Sequence, residues 1–351
     1  MIVSILAFTC IRNEGPFLLE WIAYHRLIGV TDFLFFSNDC TDGSDLLLSQ
    51  LADHGVLRHV AQEIVPGKSP QWQALQQVAG TGATERHDWA MFCDVDEFPM
   101  VHVGGQTLTD AIAGMPADAD AIALTWRLFG AGGQIWYRDI PVTGQFTRSA
   151  PPDLFHPIAG RSIKTLYRPS RFHKPGVHRP KRPAAGPVPV WVDGAGRRLP
   201  ESFARGDGQV ALPWLTAGRS IIELNHYSLR SIESFLVKVE RGLANRRTRT
   251  IDLGYWIERN FNTVENTAMA AWTARLAAEI AALRDLPGVA ALHDQACAWH
   301  KARAAALMRT QEGYRLFCHC LHAAGSAAIS STLARQLYTT FAEIAPAAAP
   351  D

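Results

Sequence analysis

Three acidic residues stand together in Asp94-Val95-Asp96-Glu97. Residues 88–93 before them (DWAMFC) are mostly apolar and predict a buried strand, so the acids fall at its carboxyl end. Mg²⁺ and Mn²⁺ prefer oxygen ligands and commonly bridge carboxylates to phosphates. We therefore expect Asp94 and Asp96 to hold such a metal at a solvent-facing strand end, although the same pattern is also typical of a solvated turn.

A basic segment at residues 161–182 is the second candidate feature, and no acid occurs between Asp153 and Asp193. Arginine forks and lysine ammonium groups both suit phosphate. Lys164, Arg168 and His178 are the candidate phosphate-binding residues. The alternatives are a solvated loop or a contact with anionic lipid or nucleic acid, but prolines at positions 169, 175 and 180 argue against a membrane-bound helix.

A third motif, Asn225-His226-Tyr227-Ser228, follows an apolar stretch that predicts a strand. A neutral imidazole from His226 could complete a metal site begun by Asp94 and Asp96, or it could simply be hydrogen-bonded at a strand end. The cations that follow it, Arg230, Lys238 and Arg241, could face phosphate. The Cys318-His319-Cys320 cluster with His322 is better explained as structural, because positions i and i+2 lie on different faces of a helix.

These residues need a framework that brings them together, and the hydrophobic pattern predicts one. Strands are expected at residues 2–8, 32–37, 55–60, 88–93, 119–126, 161–168 and 221–227, and helices at residues 14–27, 44–52, 71–84 and 232–245. Strand–helix alternation with short connections is typical of βαβ units and a mostly parallel sheet. Beyond residue 267 the chain is rich in alanine and predicts further helices.

Polar segments follow three of the predicted strands, at residues 9–14, 38–44 and 94–97. Ligands of open parallel sheets bind outside the carboxyl ends of the strands. We expect the three segments to converge on one edge of the sheet. An acid at the end of the second strand, Asp39, would then face the nucleotide crevice, which suggests a uridine or guanosine diphosphate.

Composition narrows the class of protein. Of 351 residues, 34 are Lys or Arg and 33 are Asp or Glu, so the charge balance suggests no nucleic-acid partner. The six scattered cysteines are typical of reduced thiols, and residues 1–9 are too short to span a bilayer and lack the features of a signal peptide. The expected location is the cytoplasm, with peripheral association with the inner face of the membrane as an open alternative. Neither G-x-G-x-x-G after the first strand nor a Walker lysine motif is present.

The sequence resembles the GT-A glycosyltransferases, and within them the family-2-like group that includes family 92. The matching motifs are Cys10-Ile11-Arg12-Asn13-Glu14, Glu20-Trp21, Tyr24-His25, Gly29-Val30, the stretch from Ser37 to Ser44, Asp94-Val95-Asp96-Glu97-Phe98, Trp126-Arg127, Phe129-Gly130, Asn225-His226-Tyr227, Lys238 and Arg241-Gly242. They cover residues 1 to about 245, so we expect a glycosyltransferase domain over 1–245 and a helical extension over 246–351.

The resemblance implies a Rossmann-like GT-A fold and transfer of a sugar from a UDP- or GDP-sugar, with Mn²⁺ or Mg²⁺ as cofactor and a glycan or lipid as acceptor. It implies that Asp39 and the loop after the first strand, with Thr9, Arg12, Asn13 and Glu14, hold the base and ribose. It also implies that Asp94 and Asp96 reach the ribose and the metal.

Asp94, Asp96 and Glu97 are the candidate catalytic residues, and Asp139, Asp153 and Glu223 are further candidates for the base. Two other functions stay open at this point. A nucleotidyltransferase or pyrophosphorylase would share the fold and the carboxylate pair but needs a glycine-rich loop after the first strand. A non-catalytic nucleotide-sugar-binding module would not need the intact carboxylate pair.

Overall fold

The structure is a computed structural model that describes residues 3–212, 218–242 and 251–344. Its strands are β1 Ile5–Ile11, β2 Asp32–Ser37, β3 Arg58–Ala61, β4 Trp89–Phe92, β5 Glu97–Val101, β6 Ala121–Leu128, β7 Arg148–Ser149, β8 Ile163–Tyr167, β9 Phe172–Lys174, β10 Lys181–Pro183, β11 Trp191–Asp193, β12 Ile222–His226 and β13 Val264–Glu265. Its helices are α1 Gly15–Leu27, α2 Ser44–Asp53, α3 Pro70–Gly80, α4 Leu108–Ala113, α5 Val142–Gln145, α6 Glu201–Arg205, α7 Ile232–Arg241, α8 Leu253–Ile257, α9 Thr273–Arg284, α10 Val289–Leu307, α11 Gln311–His322 and α12 Ser331–Ile344.

In the described residues, nine strands form one central sheet in the order β3-β2-β1-β4-β8-β6-β12-β5, with β11 added beside β6. Five of its eight strand pairings are parallel. Core residues alternate along β1, where Ile5 and Ala7 face one apolar cluster while Leu6 and Phe8 face the other. The sheet is therefore buried on both faces, as a continuous apolar strand predicts. The predicted α/β architecture, a mostly parallel sheet flanked by helices and followed by C-terminal helices, is confirmed.

The structure departs from the prediction at two strands, in ways that affect the acids. The strand after residue 88 ends earlier than expected, at Phe92, and Asp94–Asp96 form a turn in which the Glu97 N–H donates to the Asp94 carbonyl at 2.9 Å. The chain then enters β5, a strand that the sequence did not predict, which pairs antiparallel with β12 at the far edge of the sheet. Asp94 and Asp96 thus lie in a turn rather than on a strand. Asp96 is also only 7% exposed, so the expectation of a solvent-facing position is wrong.

Helix α1 packs against this turn and holds its backbone through hydrogen bonds. The Trp21 indole N–H reaches the carbonyl oxygens of Asp94 at 3.0 Å and Glu97 at 3.1 Å, and the Tyr24 hydroxyl donates to the Pro99 carbonyl at 2.6 Å. Both side chains are fully buried. The His25 ring stacks on Trp21 with 3.9 Å between ring centroids. Trp21, Tyr24 and His25, which belong to the motifs shared with the resembled family, therefore support the acidic turn.

The C-terminal helices share the core of the sheet domain. Trp272, Leu276 and Val289 belong to the same apolar cluster as the side chains of α1. Helix α10 comes so close to the start of α1 that a Cβ on Gly15 would lie 2.5 Å from the Ala296 Cβ. The proposed boundary at residue 245 lies outside the described residues, as do the first two residues, the last turn expected for the helix over 232–245 and the chain end after 344.

The indole bonds of Trp21 give a first prediction. Trp21→Phe removes the donor from two carbonyls inside the protein, and an unpaired buried polar group costs about 1–3 kcal/mol. Trp191 is a matched control, because it is equally buried and its indole nitrogen has no hydrogen-bond partner in the described part of the chain. We expect the free energy of unfolding in urea to fall more for Trp21→Phe than for Trp191→Phe. Equal losses would mean that the indole bonds do not stabilise the turn.

Candidate active site

The first acid of the turn, Asp94, is paired with a lysine from β8. Lys164 Nζ lies 2.7 Å from Asp94 Oδ2 and 3.4 Å from Glu97 Oε2. The Lys164 side chain is 1% exposed, whereas that of Asp94 is 31% exposed. Antiparallel pairing of β8 with β4 brings the start of β8 to the carboxyl end of β4. Lys164 therefore neutralises the acids from inside the protein, and Asp94 keeps a face toward solvent.

The second acid, Asp96, lies between a histidine and a lysine. His226 Nε2, at the end of β12, is 3.5 Å from Asp96 Oδ1, and Lys238 Nζ on α7 is 2.8 Å from Oδ2. Burial alone raises the pKa of Asp96, but Lys238 and His226 outweigh it and hold that pKa well below its usual value. Burial lowers the pKa of His226, which keeps the imidazole neutral. An ionised carboxylate and a neutral imidazole nitrogen thus face each other.

The third acid, Glu97, differs from Asp96 in its protonation state. It is fully buried, accepts the Asp94 N–H at 2.8 Å, and has one carboxyl oxygen without a partner among the described residues. Burial raises its pKa to about 8 despite the nearby Lys164. A buried, largely protonated carboxyl is suited to bracing the turn, and its position out of reach of solvent does not suit a base acting on an acceptor.

A further buried acid, Glu14, precedes α1 and pairs with two arginines. Arg230 Nη1 lies 3.1 Å from Glu14 Oε2, and Arg241 donates to Oε1. Burial raises the pKa of Glu14, but Arg241 and Arg230 bring it below its usual value. Arg230 has the left-handed φ of 58°, and its guanidinium lies 3.4 Å from the centroid of the Phe17 ring. The basic residues after His226 therefore surround this edge of the sheet.

The residues predicted for nucleotide binding are only partly together. Asn13 accepts the Thr41 N–H at 2.8 Å, so the loops after β1 and β2 are joined as expected. Arg12 and Asp39 are exposed beside them. Thr9 instead lies within β1, because that strand continues to Ile11. Its side chain is fully buried and its hydroxyl has no partner in the described ranges, which removes it from the expected loop.

The basic segment 161–182 divides into two groups. Lys164 and His178 lie at the acids, with the His178 Nδ1 bonded to the Ile163 carbonyl at 2.9 Å. Burial and the neighbouring Lys164 lower the pKa of His178 to about 4. Arg168 is at the opposite end of β8, where it bonds the Ala119 carbonyl and covers the Trp89 ring, so the fold does not bring it to the acids. Antiparallel β8 carries its two ends to opposite edges of the sheet.

A small pocket and a larger cleft lie beside this edge. The pocket, about 10 Å³, is lined by Asn13, Glu14, Phe17, Ser228, Leu229, Arg230, Ser234, Val237, Lys238, Arg241 and His300. The cleft, about 410 Å³ and open to solvent, is lined by Arg12, Asn13, Thr41, Val237, Glu240, Arg241, Trp299 and Arg303. We call the second the arginine cleft. Its wall includes side chains of α10, which the sequence left without a role because an alanine-rich helix carries no local sign of what it will face.

Comparison with known proteins identifies the family of this chain. The family model for glycosyltransferase family 92 matches residues 10–188, so the chain belongs to that family. A family 92 protein from Oryza sativa subsp. japonica is 32% identical over 31% of this chain and 18% of its own length. One from Arabidopsis thaliana is 35% identical over 26% of this chain and 15% of its own length. The matches thus span less than a fifth of either relative.

Solved structures with low similarity also align. A mannosyltransferase from Pyrobaculum calidifontis, solved with GDP-Man and Mn²⁺, is 15% identical over 92% of this chain and 86% of its own, with a TM-score of 0.35. S. aureus TarS with UDP-GlcNAc is 16% identical over 47% of this chain and 45% of the solved chain, with a TM-score of 0.31. Within the described residues, none of the helices has the length and apolar character needed to cross a membrane.

The raised pKa of Glu97 predicts a pH dependence of stability. The folded protein keeps this proton up to about pH 8, whereas an unfolded chain releases it near 4.5. The stabilising contribution is therefore complete below pH 4.5 and is lost as the pH rises toward 8. Glu97→Gln keeps the shape and stays neutral, so the variant should gain roughly 1–4 kcal/mol relative to the wild type between pH 5 and 9. Urea unfolding across this range measures the difference.

A change at exposed Glu63 provides the control. Glu63→Gln alters the same side-chain type on the surface, and it should leave the pH profile of stability parallel to that of the wild type. If Glu97→Gln also runs parallel, Glu97 is ionised in the folded protein and Lys164 balances it fully.

Proposed function

We propose that this protein transfers a sugar from a UDP- or GDP-sugar to a glycan or lipid acceptor, with Mn²⁺ or Mg²⁺ as cofactor. The observation that carries the proposal is that the Asp96 carboxylate and the His226 ring lie 3.5 Å apart, among the cations of α7 and β8. Membership in glycosyltransferase family 92 supports the reaction class. The location stays a prediction. A cytoplasmic protein, or one bound peripherally to the inner face of the membrane, would have access to a glycan or lipid acceptor.

The donor set fits a divalent cation. Asp96 offers a carboxylate oxygen and His226 a ring nitrogen, and the partly exposed Asp94 in the same turn can add a further oxygen. His226 Nδ1 is buried and has no hydrogen-bond partner among the described residues, so no second hydrogen bond commits the ring to another role. When bound, the metal would neutralise charge on the diphosphate leaving group.

Lysine and arginine side chains of the protein would also neutralise charge on the diphosphate. Lys238 bonds both Asp96 and the Ser228 carbonyl at 2.8 Å, and Arg241 bonds Glu14 and the Arg12 carbonyl. A diphosphate entering beside them meets positive groups that are already held in place. Fixed charges in a partly dry site stabilise charge that develops as the sugar–phosphate bond breaks, because they need no reorganisation.

The arginine cleft is our proposed nucleotide site. It joins the loops after β1 and β2 to α7, and so continues directly from the diphosphate cations. Its arginines attract an anionic ligand, and the Trp299 indole offers an apolar surface for a base. Arg303 is paired with Glu240, and Arg241 is paired with Glu14. Arg12 adds an exposed cation at the rim of the cleft.

The metal assignment is tested with Asp96→Asn. The amide keeps the shape but binds a divalent cation poorly, so hydrolysis or transfer from a UDP- or GDP-sugar should fall at least about 10²-fold. Because Lys238 loses its charged partner, stability should also fall by roughly 1–3 kcal/mol. Activity is therefore measured well below the unfolding temperature, over a panel of nucleotide sugars with and without Mn²⁺.

A matched control is Asp118→Asn, which changes an exposed acid paired with Arg198. It should keep full activity. Wild-type turnover that persists in EDTA would contradict the metal assignment. Release of pyrophosphate from a nucleoside triphosphate and a sugar phosphate would instead identify a nucleotidyltransferase, and tight nucleotide-sugar binding without turnover would identify a binding module.

The nucleotide site is tested with Trp299→Ala. Stacking of a base on an aromatic ring is worth about 1–3 kcal/mol, so calorimetry should show UDP or GDP binding weakened roughly 5- to 100-fold. Trp72→Ala, on the exposed surface of α3, should leave binding unchanged. Equal affinities for the two variants would place the nucleotide elsewhere. Binding of CMP that is as tight as, or tighter than, that of either diphosphate would contradict a UDP- or GDP-sugar donor.

A further inference from the structure

A cluster of three metal-ligating side chains lies away from the acidic turn. His293 and Cys297 stand four residues apart on α10, so they share one face of the helix. That face meets the loop before α5, which carries Tyr137 and Asp139. His293 and Cys297 are 4% and 5% exposed, whereas the Asp139 side chain is 41% exposed. The cluster is thus buried on the helix side and open to solvent on the loop side.

The ligand atoms lie close to one another. His293 Nε2 is 3.1 Å from Asp139 Oδ1 and 3.4 Å from Cys297 Sγ, and the three ligand atoms are all within 4.8 Å of each other. Ligands at zinc bond lengths in a tetrahedron lie roughly 3.3–3.8 Å apart. Small side-chain adjustments therefore bring the three atoms to that spacing, with a fourth position left for water on the Asp139 side.

From this geometry we propose that Asp139, His293 and Cys297 bind one Zn²⁺. Sulfur, imidazole nitrogen and carboxylate oxygen together suit Zn²⁺, whereas Mn²⁺ and Mg²⁺ favour oxygen ligands. The thiol releases its proton to the solvent as the zinc–sulfur bond forms. Thiolate and carboxylate then balance the two charges of the ion, so the buried complex carries no net charge.

The surroundings favour a structural metal site over a catalytic thiol. Cys297 is only 5% exposed, whereas reactive thiols are partly exposed. The Tyr137 hydroxyl donates to Cys297 Sγ at 3.1 Å, a bond that strengthens when the sulfur becomes a thiolate. The other ring nitrogen of His293, Nδ1, has no hydrogen-bond partner within the described ranges. In that part of the chain, the ring therefore bonds only to Asp139 and Cys297.

The proposed ion would join α10 to the sheet domain beside the donor site. The loop that carries Asp139 leads into α5, whose first N–H groups are capped by the Glu20 carboxylate of α1. Helix α10 also carries Trp299 and Arg303 of the arginine cleft. Zinc at this position would therefore stiffen one wall of that cleft. The binding itself does not depend on the proposed transferase activity.

The test uses the full-length protein, freed of metal with a chelator and titrated with ZnCl₂ or CoCl₂. We expect about one tightly bound ion per chain, a higher melting temperature with zinc, and a thiolate-to-cobalt charge-transfer band. Cys297→Ser and His293→Ala should each lose the tight site and the zinc-induced thermal shift. Cys318→Ser on α11 and Asp96→Asn at the acidic turn should keep both.

Tyr137→Phe provides a graded variant that keeps all three ligands. Removing a hydrogen bond to a metal ligand typically lowers affinity about 10–100-fold, and a loss of this size is expected here. Each variant is compared with and without zinc, so a variant that is less stable still reports on binding. The proposal is overturned if wild type and Cys297→Ser bind zinc equally, if cobalt shows no thiolate band, or if Asp96→Asn alone removes the tight site.

Discussion

Buried carboxylates at one edge of the sheet impose the main constraint on this protein. Glu14, Asp96 and Glu97 are each less than 10% exposed, and an unpaired buried charge is far too costly for a fold of marginal stability. Glu97 meets the constraint mainly by keeping its proton. Glu14 and Asp96 meet it through the arginines and the lysine of α7 and the loop before it. This arrangement of charges therefore forms only when α7 and the loop before it have packed against the acids.

That dependence couples the site to the fold. The pairs Asp94–Lys164, Asp96–Lys238 and Glu14–Arg241 each join segments separated by at least 70 residues. Breaking one partner leaves the other uncompensated, so such pairs contribute specificity of arrangement more surely than net stability. The acids cannot reach their final geometry in a partly folded chain, and a correct arrangement of charge reports a correctly assembled sheet.

Helix α1 connects the backbone of the acidic turn to the rest of the domain. Its start is held by the loop after β2, where Asp42 accepts the Gly15 N–H and Ser44 accepts the Glu14 N–H. One face of the helix then bonds the turn through Trp21, and Glu20 caps α5. A ligand bound at the turn thus contacts a rigid element, and helices α9 and α10 contact the same element from the other side. The two proposed metal sites differ in ligand chemistry: carboxylates with an imidazole at the acidic turn, and a thiol, an imidazole and a carboxylate where α10 meets the loop before α5.

Much of this architecture was accessible from the sequence because its causes are local. Apolar runs and helical spacing predicted seven of the nine described strands of the central sheet, and α1, to within three residues, and β2 at residues 32–37 was predicted with its observed bounds. The position of the acids after an apolar strand, and the resemblance to the family, needed only neighbouring residues. His226 and Lys164 were likewise candidates from their types and surroundings.

Other features were decided only by tertiary structure. Nothing local shows that Asp96 is buried, that β5 crosses to the far edge of the sheet, or that Lys164 and Arg168 are carried to opposite edges of the sheet by antiparallel β8. The same holds for Trp299 at the cleft and for the meeting of Asp139 with His293 and Cys297. Periodicity tells which face of an element is buried, but not what covers it. Partners more than a hundred residues apart are chosen by how sheet order and helix packing bring them together.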